Sequence, residues 1–249
     1  MKTFELAIKT GFVLILSAGL MVGCASTGAK KDGPPVDLYK EAYTAYDNGD
    51  YKKAKKLFED FAAKGEAEAQ NNLGTMYALG KGVPQDYNKS IEWYKKAAGQ
   101  GYSEAQFTLG SMYDLGQGVP QSFDTATAWY RKAAETGNAE AQLYLGAMYA
   151  LGRGVPKDFS QASNWYRKSA EQGNPTAQFS LGLMYAFNRG VPKDDIIALQ
   201  WLHLASSRSE VGTQVDQIMT IRDKIASRMS PEQITEAQRL AKDWKPKTR

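Results

Sequence analysis

Between Glu104 and Asn138 the apolar and small positions fall at helical intervals twice over. Ala105, Leu109, Met112 and Tyr113 recur three or four residues apart, and so do Ala126, Trp129, Tyr130, Ala133 and Ala134. The spacing predicts two short amphipathic helices, each with one side to bury. The stretch between them is LGQGVP, Leu115 to Pro120. Its glycine after the first helix allows the left-handed backbone that turns a chain, and its proline cannot continue a helix. Ser122, two residues past the proline, is placed to accept a bond from the free amides that open the second helix. The segment reads as a helical hairpin.

The hairpin recurs. LGKGVP from Leu79, LGRGVP from Leu151 and FNRGVP from Phe187 stand at a constant interval of 36 residues, and other positions keep it. Ala69, Ala105, Ala141 and Ala177 each precede Gln; Tyr77, Tyr113, Tyr149 and Tyr185 each follow Met; Trp93, Trp129, Trp165 and Trp201 keep the same place. A fixed period of this length marks a stacked repeat array. In the fourth copy Asn188 takes the left-handed position, and Asn is the next most tolerant residue there. Asp86, Asp158 and Asp194 share the capping place of Ser122, while Asn138 and Asn174 stand as caps for the following first helices, with Pro175 in an opening turn. Glycine inside a helix costs about 1 kcal/mol relative to alanine. Gly74, Gly110, Gly146 and Gly182 therefore predict a close approach of the two helices of each hairpin, with the large Trp and Tyr rings of the second helix in the core. One hairpin cannot bury its own apolar face, and stacking does.

The pattern AxAQxxLGxMYxxGxGVPxDxxxAxxWYxKAAxxG, from Ala67 to Gly182 and with drift to Ala205, resembles the Sel-one-like repeat, a relative of the tetratricopeptide repeat. The resemblance implies an all-α fold, a right-handed α-solenoid of stacked helical hairpins, with four such repeats over residues 67–207. Residues 37–66, with DNGDYKKAKKLFEDF, look more like a tetratricopeptide hairpin. Residues 208–249 hold two further helices expected to cover the open end, the last with Ser230 as cap, Pro231 in its first turn and Gln233 three residues on.

At the other end, Lys2 and Lys9 accompany an apolar run from Phe12 to Val22, too short for a permanent membrane span and suited to the core of a secretory signal. MVGC, Met21 to Cys24, resembles the lipobox of bacterial lipoproteins, with Met21 where Leu is usual. The resemblance implies a signal peptide over 1–23, a lipid on Cys24 and a flexible tether over 24–36; Ala25, not being Asp, favours the outer membrane, facing the periplasm. The competing reading is a plain signal peptide cut near Ala25. Cys24 is the one cysteine of the chain, so no disulfide can form within it and the core alone holds the fold.

Charge narrows the partners. The formal net charge is +4, and +3 without Lys2, Glu5 and Lys9, with both signs interspersed and no basic block, which argues against nucleic acid. His203 is the single histidine, so no catalytic or metal set and no cofactor is expected, and His203 itself reads as a packing or surface residue. The GxGVP loop follows a helix and lacks Lys-Ser/Thr, unlike a phosphate loop. Binding of protein is what remains. The tetratricopeptide resemblance implies that one face of each first helix lines a concave groove: Glu68, Asn71, Thr75 and Leu79; Glu104, Phe107, Ser111 and Asp114; Glu140, Leu143, Ala147 and Leu151; Thr176, Phe179, Leu183 and Phe187. Phe107, Leu143 and Phe179 would form an apolar line and Glu68, Glu104 and Glu140 an acidic rim, unless the apolar residues are packed between repeats. The expected protein is a monomeric, lipid-anchored envelope scaffold for a peptide or protein segment with apolar and basic residues, and not an enzyme. The alternatives are an enzyme of β-lactam or cell-wall chemistry, as suggested for cysteine-rich relatives whose paired cysteines are absent here, and a tether between outer membrane and cell wall.

Overall fold

The structure, a computed structural model, describes residues 36–208 and 213–247; Cys24, the apolar leader and nearly all of the proposed tether lie outside the described residues. Among the described residues there are twelve α-helices and no strands: α1 (Val36–Asp47), α2 (Tyr51–Ala63), α3 (Ala67–Leu79), α4 (Tyr87–Gly99), α5 (Ser103–Leu115), α6 (Phe123–Glu135), α7 (Ala139–Leu151), α8 (Phe159–Glu171), α9 (Pro175–Ala186), α10 (Asp195–Arg208), α11 (Thr213–Ala226) and α12 (Pro231–Asp243). The fold class is an all-α repeat solenoid. The helices fall into two compact units that meet in sequence between Ala133 and Ala134. Within the first unit α1 packs on α2, α2 on α3, α3 on α4 and α4 on α5; within the second α7 packs on α8, α8 on α9, α9 on α10, and α10 on both α11 and α12.

The helix ends follow the chemistry of their residues. Asp86, Asp158 and Asp194 accept bonds from the amides of Lys89, Gln161 and Ile197, each at 3.0 Å, and Ser122 accepts from Thr125 at 3.3 Å. Asn138 and Asn174 cap α7 and α9 through the amides of Ala141 and Ala177, and Ser230 and Gln233 close a reciprocal capping box on α12. Gly116 ends α5 at φ 69°, and Asn188 holds the matching place at φ 52°. Each such substituted cap or turn residue satisfies amides or carbonyls that the helix leaves open.

The close approach inside each hairpin is made by tyrosine. A side chain on Gly110 would meet the Tyr130 ring at 2.6 Å, and one on Gly74 or Gly146 would meet the rings of Tyr94 or Tyr166 at 2.7 Å. These tyrosines are fully buried. The expectation that the tryptophans share this place is corrected: Trp93, Trp129 and Trp165 are half-buried, and the ammonium groups of Lys96, Lys132 and Lys168 lie 4.0, 4.1 and 4.0 Å from their centroids. Trp93 packs on the cluster of Phe58, Phe61, Leu73 and Met76, and Trp129 on the next one, of Ile91, Tyr94, Leu109 and Met112. The tryptophan joins neighbouring hairpins, while tyrosine builds each one.

Two further contacts set hairpin on hairpin. The second glycine of the loop lies on the first residue of the second helix in the preceding hairpin: Gly82 against Tyr51, Gly118 against Tyr87 and Gly190 against Phe159. Buried glutamines of the Ala-Gln pairs make the other. Gln106 donates to the carbonyl of Ala98, Gln142 to Ala134 and Gln178 to Ala170, at 3.1 to 3.2 Å, clipping a first helix to the end of the helix before it. Gln100 and Gln172 in turn donate to Gln70 and Gln142, both at 2.8 Å.

The loop contact is testable at Gly118, where φ is 73° and a side-chain carbon would stand 2.4 Å from the Tyr87 Cβ. Gly118→Ala should lower stability by about 2 to 4 kcal/mol, combining left-handed strain with overpacking. Gly99→Ala, at the end of α4 with open space around it, should instead raise stability by a few tenths to about 1 kcal/mol. Urea melts of the two variants check the pair.

Candidate protein-binding surface

The candidate surface is built on the first helices of the hairpins, and the Gly–Tyr approach decides much of what those helices can present. Each ring reaches across its hairpin, so its hydroxyl emerges at the first helix. Tyr94 meets Thr75 there at 2.9 Å, and Tyr130 donates to Ser111 at 3.3 Å. Burial pushes the Tyr94 hydroxyl up to about 12, and the bond with Thr75 opposes that rise. In the third repeat the corresponding residue is Ala147; burial pushes the Tyr166 hydroxyl above its ordinary range, and Ser180 of the next helix, which donates to the Thr176 carbonyl at 2.8 Å, opposes that rise. In the fourth repeat both members are apolar, Leu202 and Leu183, and both are buried. Thr75, Ser111, Ala147 and Leu183 are therefore the far side of the tyrosine contact.

The remaining expected groove positions behave differently in the two units. In the first, Glu68, Asn71 and Phe107 are partly exposed and Glu104 is exposed, while Asp114 is buried. Phe107 packs its ring 5.7 Å from that of Tyr130. In the second unit Leu143 and Phe179 are only 5% and 4% exposed, which corrects the expectation of a continuous open apolar line through Phe107, Leu143 and Phe179. The physical reason lies in the helices themselves: every residue from Ala141 to Met148 and from Ala177 to Met184 is buried, as befits helices that are apolar almost all round. Glu140 is exposed yet surrounded by enough protein for desolvation to raise its carboxyl pKa, an effect opposed by the bond from the Asn174 amide at 2.8 Å. Thr176 is partly exposed beside it in register. Of the apolar residues that end the first helices, Leu115 and Phe187 are exposed and Leu79 and Leu151 half-buried.

Three tyrosines absent from the sequence reading stand beside the acidic residues of the first unit. Tyr43 of α1 donates to Glu68 at 2.6 Å and accepts from Asn72 at 2.8 Å. Tyr39 stacks on Phe61 with centroids 4.3 Å apart and lies 6.4 Å from the Tyr43 ring. Tyr102 opens α5. Burial, reinforced by Glu68 in each case, pushes all three hydroxyls above the ordinary range. A signal for them existed, since Tyr39 and Tyr43 share one face of α1 at a spacing of four. Among the described residues no group of three His, Cys, Asp or Glu is placed to hold a metal ion, and burial together with Arg222 lowers the pKa of His203.

Two substitution sets check these assignments. Thr75→Val should cost about 1 to 3 kcal/mol by leaving the Tyr94 hydroxyl unsatisfied, whereas Thr75→Val with Tyr94→Phe should cost less than the two changes summed. Phe179→Ser should cost roughly 3 kcal/mol or more, as buried aromatic deletions do, and Phe107→Ser clearly less. Chemical denaturation of Thr75→Val, Tyr94→Phe, their combination and the two Phe→Ser variants measures all five.

With that geometry in place, comparison with known proteins is informative. The family model described as the Sel1 repeat matches residues 67–102, 103–138, 139–174 and 175–209, more than half of the chain. An exopolysaccharide production negative regulator from Rhizobium leguminosarum bv. viciae is 32% identical over 85 residues, 34% of this chain; the chain spans only about a third, 32%, of that relative's length. Among solved structures, a Sel1 repeat protein from Oxalobacter formigenes aligns over 83% of this chain and 100% of its own, at 26% identity and a TM-score of 0.66. The protein c5321, a protective antigen present in uropathogenic Escherichia coli strains, aligns over 83% of this chain and 52% of its own, at 29% identity and a TM-score of 0.53. Sel1 repeat proteins generally act as non-enzymatic protein–protein interaction scaffolds. With four consecutive repeats matched and the same hairpin built four times, the chain belongs to the Sel1 repeat family.

Proposed function

We propose that this protein is a cell-envelope scaffold, held to the outer membrane by a lipid on Cys24, which takes a peptide or protein segment on its first helices and works as a monomer facing the periplasm. The observation that carries the scaffold reading is a division of labour along the repeat. The residues that recur at every period, Gly110, Gln106 and Gly118 among them, together with the tyrosine of the first three copies, are spent on interior and stacking contacts. The residues that change from copy to copy include the half-exposed Asn71 of α3 and Phe107 of α5, which hold one register position, while Glu68 and Glu104 recur at Glu140 and give way only to Thr176. A face that varies on a frame that does not is suited to one particular partner. Support for the anchor is the MVGC sequence ending at the chain's one cysteine; a lipid attached there would give stable membrane attachment when two or more acyl chains are present.

Cell fractionation tests the anchor. The unmutated protein should require detergent for release, and Cys24→Ala should appear unprocessed or in the soluble fraction; a mutant that still needs detergent would refute lipidation. Crosslinking in intact cells followed by mass spectrometry tests the scaffold role, with a reproducible protein partner as the expected result.

A further inference from the structure

The residue that opens each first helix changes its chemistry between the two units. Asn138 and Asn174 cap α7 and α9. Glu66 and Tyr102 stand in the same register before α3 and α5 and make no side-chain cap bond. A missing cap costs about 1 kcal/mol. The first unit gives up the cap twice, and in each case places a carboxylate or a phenol ring at the surface. Tyr102 recovers part of that cost by packing on the cluster of Ile91, Tyr94, Leu109 and Met112; for Glu66 the broken local rule points to function.

Both residues fall beside the tyrosine group of α1. The charges of Glu68 and Glu66 act on the Tyr39 hydroxyl, and those of Glu104 and Glu68 on Tyr102. The Tyr39 hydroxyl oxygen is buried near the Ala69 backbone without a hydrogen bond of good geometry. Three carboxylates and three phenol rings thus share one patch, and among the described residues no lysine or arginine forms an ion pair with Glu66, Glu68 or Glu104. Lys64, 5.7 Å from the Phe61 centroid, pairs with none of them. Ring faces attract cations, and carboxylates bond them with charge assistance.

We propose that Tyr39, Tyr43, Tyr102, Glu66, Glu68 and Glu104 form the docking surface for a lysine or arginine side chain carried by an extended segment of the partner protein. This rests on the scaffold reading and adds the partner's chemistry to it. The second unit holds such a contact within the chain itself. After α12 the backbone is extended at Trp244, the Arg208 guanidinium lies 4.6 Å from that ring, and Lys247 reaches Glu171 both through its amide, to the carbonyl at 2.8 Å, and through its ammonium, to the carboxylate at 2.8 Å.

The test uses the full chain and a fluorescent hexalysine peptide, read by anisotropy at physiological salt, with hexaglutamate as the contrast. Hexalysine should bind and hexaglutamate should not. Changing Glu66, Glu68 and Glu104 together to Gln should weaken hexalysine binding by about tenfold or more. Tyr102→Asn, which restores a cap but removes a ring packed on the Ile91 and Leu109 cluster, should weaken it about threefold at a temperature where circular dichroism shows the variant as helical as the unmutated chain. A comparison variant with Glu59→Gln, Glu92→Gln and Asp124→Asn removes the same charge from second helices and should stay within about twofold of the unmutated chain. Equal losses in the two triple variants would show diffuse charge attraction and overturn the proposal, as would unchanged binding by Tyr102→Asn or equal binding of both peptides. The same patch variant in the cellular crosslinking experiment separates the two readings. A partner captured equally with and without the patch overturns the docking surface and leaves the scaffold standing, whereas an unmutated chain that captures no partner overturns the scaffold.

Discussion

The contact on which the rest of this structure depends is the seating of a tyrosine ring in the space left by a helical glycine. With the ring at the distance a side chain would occupy, as for Gly110 and Tyr130, the two helices of a hairpin come close enough to exclude water, and the phenol is carried through to the other side of the first helix. A buried hydroxyl without a partner costs about 1 to 3 kcal/mol. The sequence accordingly co-varies within itself: Thr75 and Ser111 serve Tyr94 and Tyr130, and where Leu202 replaces the tyrosine, Leu183 replaces its partner. A choice made for packing on one side of the helix thus removes positions from the surface offered on the other.

Stacking depends on a second, more polar device. Burying an amide side chain is unfavourable unless it is bonded, and Gln106, Gln142 and Gln178 each bond their NH2 group to the carbonyl that ends the preceding helix, while the side-chain oxygens of Gln106 and Gln178 stay without a partner. These carbonyls are among the groups every helix leaves open at its end. One residue therefore satisfies two needs, and it does so only when the hairpins are in register. Apolar stacking alone tolerates sliding, and a ladder of directed bonds does not.

Much of this was legible in the residues. The 36-residue interval, the helix pairs, the caps at Asp86, Asp158, Asn138 and Asn174 and the left-handed Asn188 all rest on local chemistry, and local chemistry is what a sequence displays directly. Which ring meets the glycine was not legible, because Trp129 and Tyr130 are neighbours on one turn and periodicity alone does not say which of them faces α5. The second loop glycine shows in the sequence only as part of a turn, since its contact partner, Tyr87 for Gly118, lies 31 residues away in the preceding hairpin. The burial of Leu143 and Phe179 was open to reading and was overridden by the resemblance to tetratricopeptide grooves: α7 and α9 carry few polar residues on any side, and a helix of that kind is buried wherever it stands. Tyr39 and Tyr43 share one face of α1, but they lie outside the periodic part of the chain, where comparison between copies gives no guide to their role.

The seat of each loop on the hairpin before it has a consequence for how such a chain can change in length over generations. Gly118 and the residue that receives it, Tyr87, lie within one period, and Gly190 with Phe159 repeats the arrangement at the same separation. A tandem duplication of one whole period therefore inherits both the plug and its socket, and fits its neighbours without further substitution. Gain or loss of a single residue between them breaks the joint at once. Selection on such a gene favours copy-number change by entire modules over gradual lengthening, and each new module arrives with its frame finished and its exposed positions free to diverge.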